Sequence, residues 1–199
     1  MVRGTPLELR GATSLGRILT GVGTTSPSIT DQDLLRLPKD GRKREFVDGR
    51  IRVSPAGARH GKISLRVGAA LLAFVRDKRL GEVFDSSTGY KLPGGNVRAP
   101  DASFVSSKRL PAVPEGFLQL APDLAVEVLS PEDNPREVLD KVGEYLSAGV
   151  GMVWVIDPRA GRAVSYRSLT DVQEVTQHET LRGDDVLPGF SCPLSELLG

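Results

Sequence analysis

From residue 58 to residue 79 apolar residues recur at helical spacing, with Ile63, Val67, Ala70, Leu71, Phe74 and Val75 on one face. Gly81 is expected to stop that helix. A second helical stripe, made of Val138, Leu139, Val142, Tyr145 and Leu146, covers about residues 136–148 and ends at Gly149. Two nearly continuous apolar runs flank it, LAVEVL (124–129) and MVWVI (152–156), as expected of strands buried on both faces. Strand, helix and strand over 124–156 predict a βαβ unit with parallel strands and a right-handed crossover. Residues 163–167 and 172–176 read as an antiparallel pair at one edge.

Shorter signals precede these. Residues 44–47 and 50–53 around Asp48-Gly49 predict a hairpin. Strand candidates follow at 82–84, 88–92 and 98–105, the last two joined by the turn PGGN (93–96). Thr30 is placed to cap a short helix that Pro38 ends. Residues 1–28 are rich in Gly, Thr and Ser and are expected to be a flexible lead-in, which leaves 29–199 as one domain.

With 199 residues, 39% of them hydrophobic, the chain can bury one substantial core. The single cysteine, Cys192, excludes an intrachain disulfide framework. No run approaches the roughly 18 apolar residues of a membrane helix. The N-terminal apolar residues are interrupted by Arg and Gly too often for a signal peptide. A cytoplasmic protein is expected, with no membrane partner. The net charge is only +1, but it is unevenly spread. Residues 36–66 hold ten Lys/Arg against three acids, and residues 123–199 hold six against fourteen. Either these are ordinary solvated faces, or the basic segment meets phosphates while the acidic one supplies metal ligands.

Three residues sit where their chemistry does not belong. Glu127 interrupts an apolar strand, and a buried carboxylate costs several kcal/mol unless it is paired, protonated or metal-bound. Asp101 follows Pro100 in a strand candidate, either as a strand-end turn residue or as a ligand leaving the pleat. Lys141 stacks with Val138 and Tyr145 at the edge of a buried helical stripe. From there its stem could snorkel to solvent, or its ammonium could reach the strand that bears Glu127. Phosphodiester hydrolysis gives the three a reason to meet. Two carboxylates suffice for Mg²⁺, and a lysine can orient water or offset charge developing on the phosphorane.

The runs PDASFV (100–105), APDLAVEVLSP (121–131) and KVGEYLSAGVGMVWVIDP (141–158), taken in order, resemble the Uma-two family of putative restriction endonucleases, within the PD-(D/E)XK nuclease superfamily. The likeness begins near REFVDGRI (44–51), includes SPAGARHGKIS (54–64), and ends with GDDVLPGFSCPLSELL (183–198). It implies an α/β fold, restriction-endonuclease-like, with a central mixed β-sheet flanked by helices, and Mg²⁺ or Mn²⁺ as cofactor. By motif, Asp101 matches the aspartate of the PD element and Glu127 the acidic residue of the (D/E)XK element. The superfamily lysine, two residues after Glu127, is replaced by Leu129, and Lys141 is the matching lysine on the next helix. The resemblance makes Glu45 a supporting metal ligand. It marks His60 as a recurrent histidine at helix entry; His60, with Arg44 and Lys62 of the basic segment, is a candidate substrate contact. Pro122-Asp123 is a second PD pair that is expected to be a decoy.

The expectation is thus a metal-dependent endodeoxyribonuclease with Asp101, Glu127 and Lys141 as its catalytic residues. A homodimer is expected if both DNA strands are cut. The rivals are a non-catalytic nucleic-acid-binding or interaction module on the same fold, and hydrolysis of a small phosphorylated substrate. No Walker-type phosphate loop is present, and neither His178 nor Cys192 has zinc-ligand spacing.

Overall fold

The computed structural model describes residues 30–37, 43–54 and 57–199. The lead-in expected over 1–28 and the helix stop expected at Pro38 lie outside them. A short helix α1 (Asp31–Arg36) opens the described chain. At its start the Asp33 carboxylate accepts from both the Thr30 backbone N–H and its hydroxyl, and the Asp33 N–H donates to the Thr30 carbonyl.

The expected hairpin forms as β1 (Lys43–Val47) and β2 (Arg50–Ser54). Asp48 and Gly49 both take positive φ, as a tight hairpin of this hand requires. Helix α2 (Ala58–Lys78) buries Ile63, Val67, Leu71 and Val75. Arg79, not Gly81, ends it in the left-handed conformation. Gly81 instead opens β3 (Gly81–Asp85), where a Cβ would stand 2.1 Å from the Val105 carbonyl oxygen. The run 98–105 is not one strand. Proline cannot donate to a ladder, and the chain divides around Pro100. Its start belongs to β5 (Val97–Arg98), paired with β4 (Tyr90–Lys91), and its end to β6 (Ala102–Ser106).

Next come β7 (Leu124–Val128), α3 (Pro135–Ser147) and β8 (Met152–Asp157), with β7 and β8 parallel as expected. Asn134 caps α3 and Pro135 occupies its first turn. The edge pair forms as β9 (Arg162–Tyr166) and β10 (Val172–Thr176). Three C-terminal elements were not anticipated: β11 (Thr180–Arg182), β12 (Ser191–Pro193) and α4 (Leu194–Leu198).

The strands make a mixed six-stranded sheet in the order β10-β9-β8-β7-β6-β3 and a four-stranded sheet in the order β2-β1-β5-β4. The strands β11 and β12 form a separate pair. Helices α2 and α3 cover opposite faces of the larger sheet. Alternate residues Leu124, Val126, Val128, Met152, Trp154 and Ile156 pack with α2, whereas Ala125, Val153 and Val155 pack with Val142 and Tyr145 of α3. Among the described residues no helix is long and apolar enough to cross a membrane.

Candidate functional site

Glu127 points to the α3 face of the large sheet, because it alternates with Val126 and Val128 on the α2 face. The pairing Ala102↔Val126, extended by one residue, brings Asp101 beside it. The turn at Pro100 frees the Asp101 side chain from the pleat, and its Oδ2 accepts from the Val128 backbone N–H at 2.8 Å. From α3, the Lys141 ammonium donates to Glu127 Oε1 at 2.8 Å and to Glu45 Oε1 at 3.0 Å. The lysine therefore reaches the strand rather than snorkelling out. Tyr145, one turn further along α3, donates its hydroxyl to the same Glu127 oxygen at 2.7 Å.

The small sheet supplies the opposite wall. Lys43, Glu45 and Val47 share one face of β1 by alternation, and the first two meet the site. The Lys43 ammonium donates to Asp101 Oδ1 at 2.7 Å and stands 3.8 Å from Glu127 Oε2. Glu45 is held at both oxygens: Oε1 accepts from the Ala99 backbone N–H at 2.9 Å, and Oε2 faces Arg98 at 3.3 Å. Arg98 is buried and pairs through Nε and Nη2 with Glu144 of α3, at 2.8 and 2.5 Å. Asn96 Nδ2 adds a bond to Glu144 Oε1. His60, at the entry of α2, closes the group with Nε2 3.0 Å from Asp101 Oδ2.

Five of the seven candidate residues thus converge: Asp101, Glu127, Lys141, Glu45 and His60. The other two do not join them. Arg44 lies on the face of β1 opposite Lys43 and Glu45. Lys62 is exposed, and its ammonium lies 3.5 Å from the Gly199 carbonyl oxygen. Asp123 serves structure, as expected of a decoy: it accepts from the Ser106 N–H and pairs with Arg109. Four residues were missed: Lys43, Tyr145, Arg98 and Glu144. Lys43 was hidden in a basic run, Tyr145 in an apolar stripe, and Arg98 in a strand candidate. For Lys43 the available signal was its position two residues before Glu45 on a strand.

The charges balance one another. Burial alone would raise the Asp101 carboxyl, but the His60 hydrogen bond and the Lys43 ammonium outweigh it and hold it well below the usual range. At Glu45 burial is likewise outweighed, by Lys141, Lys43, the Ala99 N–H and Arg98. At Glu127 burial wins, and its carboxyl is raised despite both lysines. Burial opposes the charged form of Lys141, yet Glu127 and Glu45 keep it firmly protonated. The Asp101 hydrogen bond raises His60 against the effect of burial.

Beside this cluster lies a cleft of about 230 Å³. Glu45, Arg98, Glu127 and Lys141 line it together with Asp48, Asp133, Glu137 and Asp140. Among the described residues no group of three or more His, Cys, Asp and Glu side chains is gathered closely enough to hold a metal by itself. Two carboxylate oxygens nonetheless share one cation. Asp101 Oδ1 and Glu127 Oε2 face the Lys43 ammonium, while Asp101 Oδ2 and Glu127 Oε1 are occupied by other donors. Lys43 therefore stands in for a cation at that point. A donor pair of this kind fits Mg²⁺, which asks for one or two carboxylates and keeps several waters.

The family model that matches residues 31–195 is Uma2, described as putative restriction endonuclease, and the chain belongs to that family. Among solved structures, the chain is similar to a putative nuclease belonging to DUF820 from Anabaena variabilis ATCC 29413. The TM-score is 0.74 and the identity 22%, over 85% of this chain and 97% of that one. No curated protein matches the sequence.

Proposed function

We propose that this member of the restriction-endonuclease-like family is a divalent-metal-dependent endonuclease, with DNA as its expected substrate. One observation carries the reading: Asp101 Oδ1 and Glu127 Oε2 converge on a single cation position, with Lys141 fixed on the other Glu127 oxygen. In this reading Asp101 and Glu127 hold Mg²⁺ or Mn²⁺. A bound divalent ion supplies Lewis acidity toward the phosphate and acidifies water. Lys141 orients the attacking water and offsets charge building on the phosphate. Glu45, with its oxygens engaged by Lys141, Arg98 and Ala99, positions Lys141 instead of binding the ion directly. His60 fixes the Asp101 rotamer. If both strands are cut, two copies of the site are needed and the working form is a dimer.

Supercoiled plasmid incubated with Mg²⁺ or Mn²⁺ is expected to be nicked, and Glu127→Gln is expected to slow nicking by about 10²–10³-fold. Equal nicking by both proteins, or none by either on DNA or RNA, defeats the proposal. A second reading, a non-catalytic nucleic-acid-binding module, is weakened by the acidic cleft residues Asp48, Asp133, Glu137 and Asp140, which repel a phosphate backbone that no metal screens. It predicts salt-dependent DNA binding that survives Asp101→Ala, without cleavage by either protein.

A further inference from the structure

Lys43 is in an unusual position for a lysine. Its side chain is only 13% exposed, and its ammonium lies between two carboxylates that are more deeply buried still. It takes the two oxygens that every other donor in the cluster leaves alone. Lys141 and Tyr145 bind Glu127 Oε1, and His60 and the Val128 N–H bind Asp101 Oδ2. We infer that Lys43 is a resident placeholder: its ammonium holds the cation position of the site and must withdraw before a divalent ion can occupy it. This rests on the metal-site reading proposed above and adds to it a competitor supplied by the chain itself.

Charge balance supports the exchange. The cluster holds four carboxylates (Glu45, Asp101, Glu127, Glu144) and three permanent cations (Lys43, Lys141, Arg98). Adding a divalent ion with Lys43 in place leaves an excess positive charge in a buried site. Withdrawal of Lys43 brings the cluster closer to neutrality. The other two cations are poor candidates to leave. Lys141 bridges two carboxylates within 3.0 Å, and Arg98 is bound at both ends by Glu45 and Glu144. Lys43 makes one short contact and one long one, on a four-carbon stem with free rotamers. Without metal it serves the fold, because removing one partner of a buried pair leaves the other charge uncompensated.

Calorimetric titration of Mn²⁺ into the metal-free full chain tests the inference, with Lys43→Met, Lys43→Gln and Glu127→Gln beside wild type. Both Lys43 variants are expected to bind Mn²⁺ about tenfold more tightly than wild type, since a competitor has gone. Their metal-free melting temperatures are expected to fall by several degrees and to recover with Mn²⁺. Folded Lys43 variants that bind no more tightly than wild type overturn the placeholder, while loss of binding in Glu127→Gln keeps the metal site. Binding that is absent from wild type and Lys43 variants alike, or undiminished in Glu127→Gln, removes the metal site and the placeholder together. A measurement on wild type does not depend on the variants folding: Lys43 acetylation, followed by mass spectrometry, is expected to be slow without metal and faster at saturating Mn²⁺. Unchanged reactivity with the ion bound overturns the inference.

Discussion

On the α2 side of the six-stranded sheet, β7 presents Leu124, Val126 and Val128; on the α3 side the same strand presents Ala125 and Glu127. The first face continues into Met152, Trp154, Ile156 and Phe190 and is almost wholly apolar, with the buried Ser165 opposite Trp154. The second begins as an ordinary core around Val142, Val153 and Tyr145, and then turns into a cluster of buried charges. The two faces treat polar atoms differently. Among the described residues, the buried side-chain nitrogens without a partner are Trp154 Nε1 and Arg66 Nη1, on β8 and α2. The α3 face has neither, although its polar groups are far more numerous. An apolar core tolerates Trp154 Nε1 because one unpaired neutral N–H costs a bounded amount, and Arg66 as a whole is only partly buried. A group of buried charges tolerates no such defect, since each depends on its neighbours.

Lys141→Met should break this contrast most strongly. It leaves Glu45 and Glu127 buried without their shared ammonium and is expected to cost about 3–5 kcal/mol. Leu71→Ala on the other face is expected to cost a similar amount, about 2–5 kcal/mol, through a cavity. Acid separates the two. Burial already raises Glu127 in the folded protein, and without Lys141 its native state binds still more protons than the unfolded chain. Stability of Lys141→Met should therefore rise relative to wild type as pH falls from 7 to 5, while Leu71→Ala should follow wild type. Urea unfolding at three pH values reads this. Parallel curves for the two variants would mean that Lys141 contributes packing alone.

How much of this was legible in the chain follows the same division. The apolar face could be read because its periods are long and uninterrupted: α2 over five turns, β7 and β8 as continuous apolar runs. Glu127, Asp101 and Lys141 stood out because each breaks such a pattern. Lys43 breaks nothing, since Lys43 and Arg44 carry the same charge and only the strand's alternation tells which one turns inward. Tyr145 keeps its stripe intact, and the hydroxyl that matters is invisible to a hydropathy pattern. The four-stranded sheet could not be foreseen as a separate layer, because β4 and β5 are two residues each, and only β5 pairs with the distant hairpin, through β1. The C-terminal strands β11 and β12 are three residues each, and a stretch with Gly and Pro separates them.

Tyr145→Phe and Trp154→Phe sharpen the contrast at a smaller scale. The first removes a hydroxyl that donates to a buried carboxylate, and about 1.5–3 kcal/mol is expected to be lost. With Oε1 less constrained, Mn²⁺ affinity should also fall. The second removes ring volume but also an unpaired N–H, so its two effects offset one another and the net loss should be smaller. A greater loss in Trp154→Phe than in Tyr145→Phe would contradict the idea that polar satisfaction is the stricter requirement on the α3 face.

The smallest effect expected is the pH response set by His60, where the site borders α2. The Asp101 hydrogen bond raises His60 in the folded state against burial, so its stabilisation is fully present below the unfolded value of about 6.5 and is lost as pH rises through the higher folded value. Asp101 has the opposite sign. Its depressed carboxyl contributes stability above an unfolded value of about 3.9, and this is lost only as pH falls below that toward the folded value. The two windows do not overlap, so each can be read by itself. The metal-free melting temperature of wild type should decline between pH 6.5 and 8 more than that of His60→Gln, whose neutral amide still reaches toward Asp101. No apolar residue on the α2 face can produce such a slope, so Leu71→Ala serves as the control. If His60→Gln keeps the wild-type slope, the proton responsible lies elsewhere, and His60 is only a helix-entry residue that happens to touch Asp101.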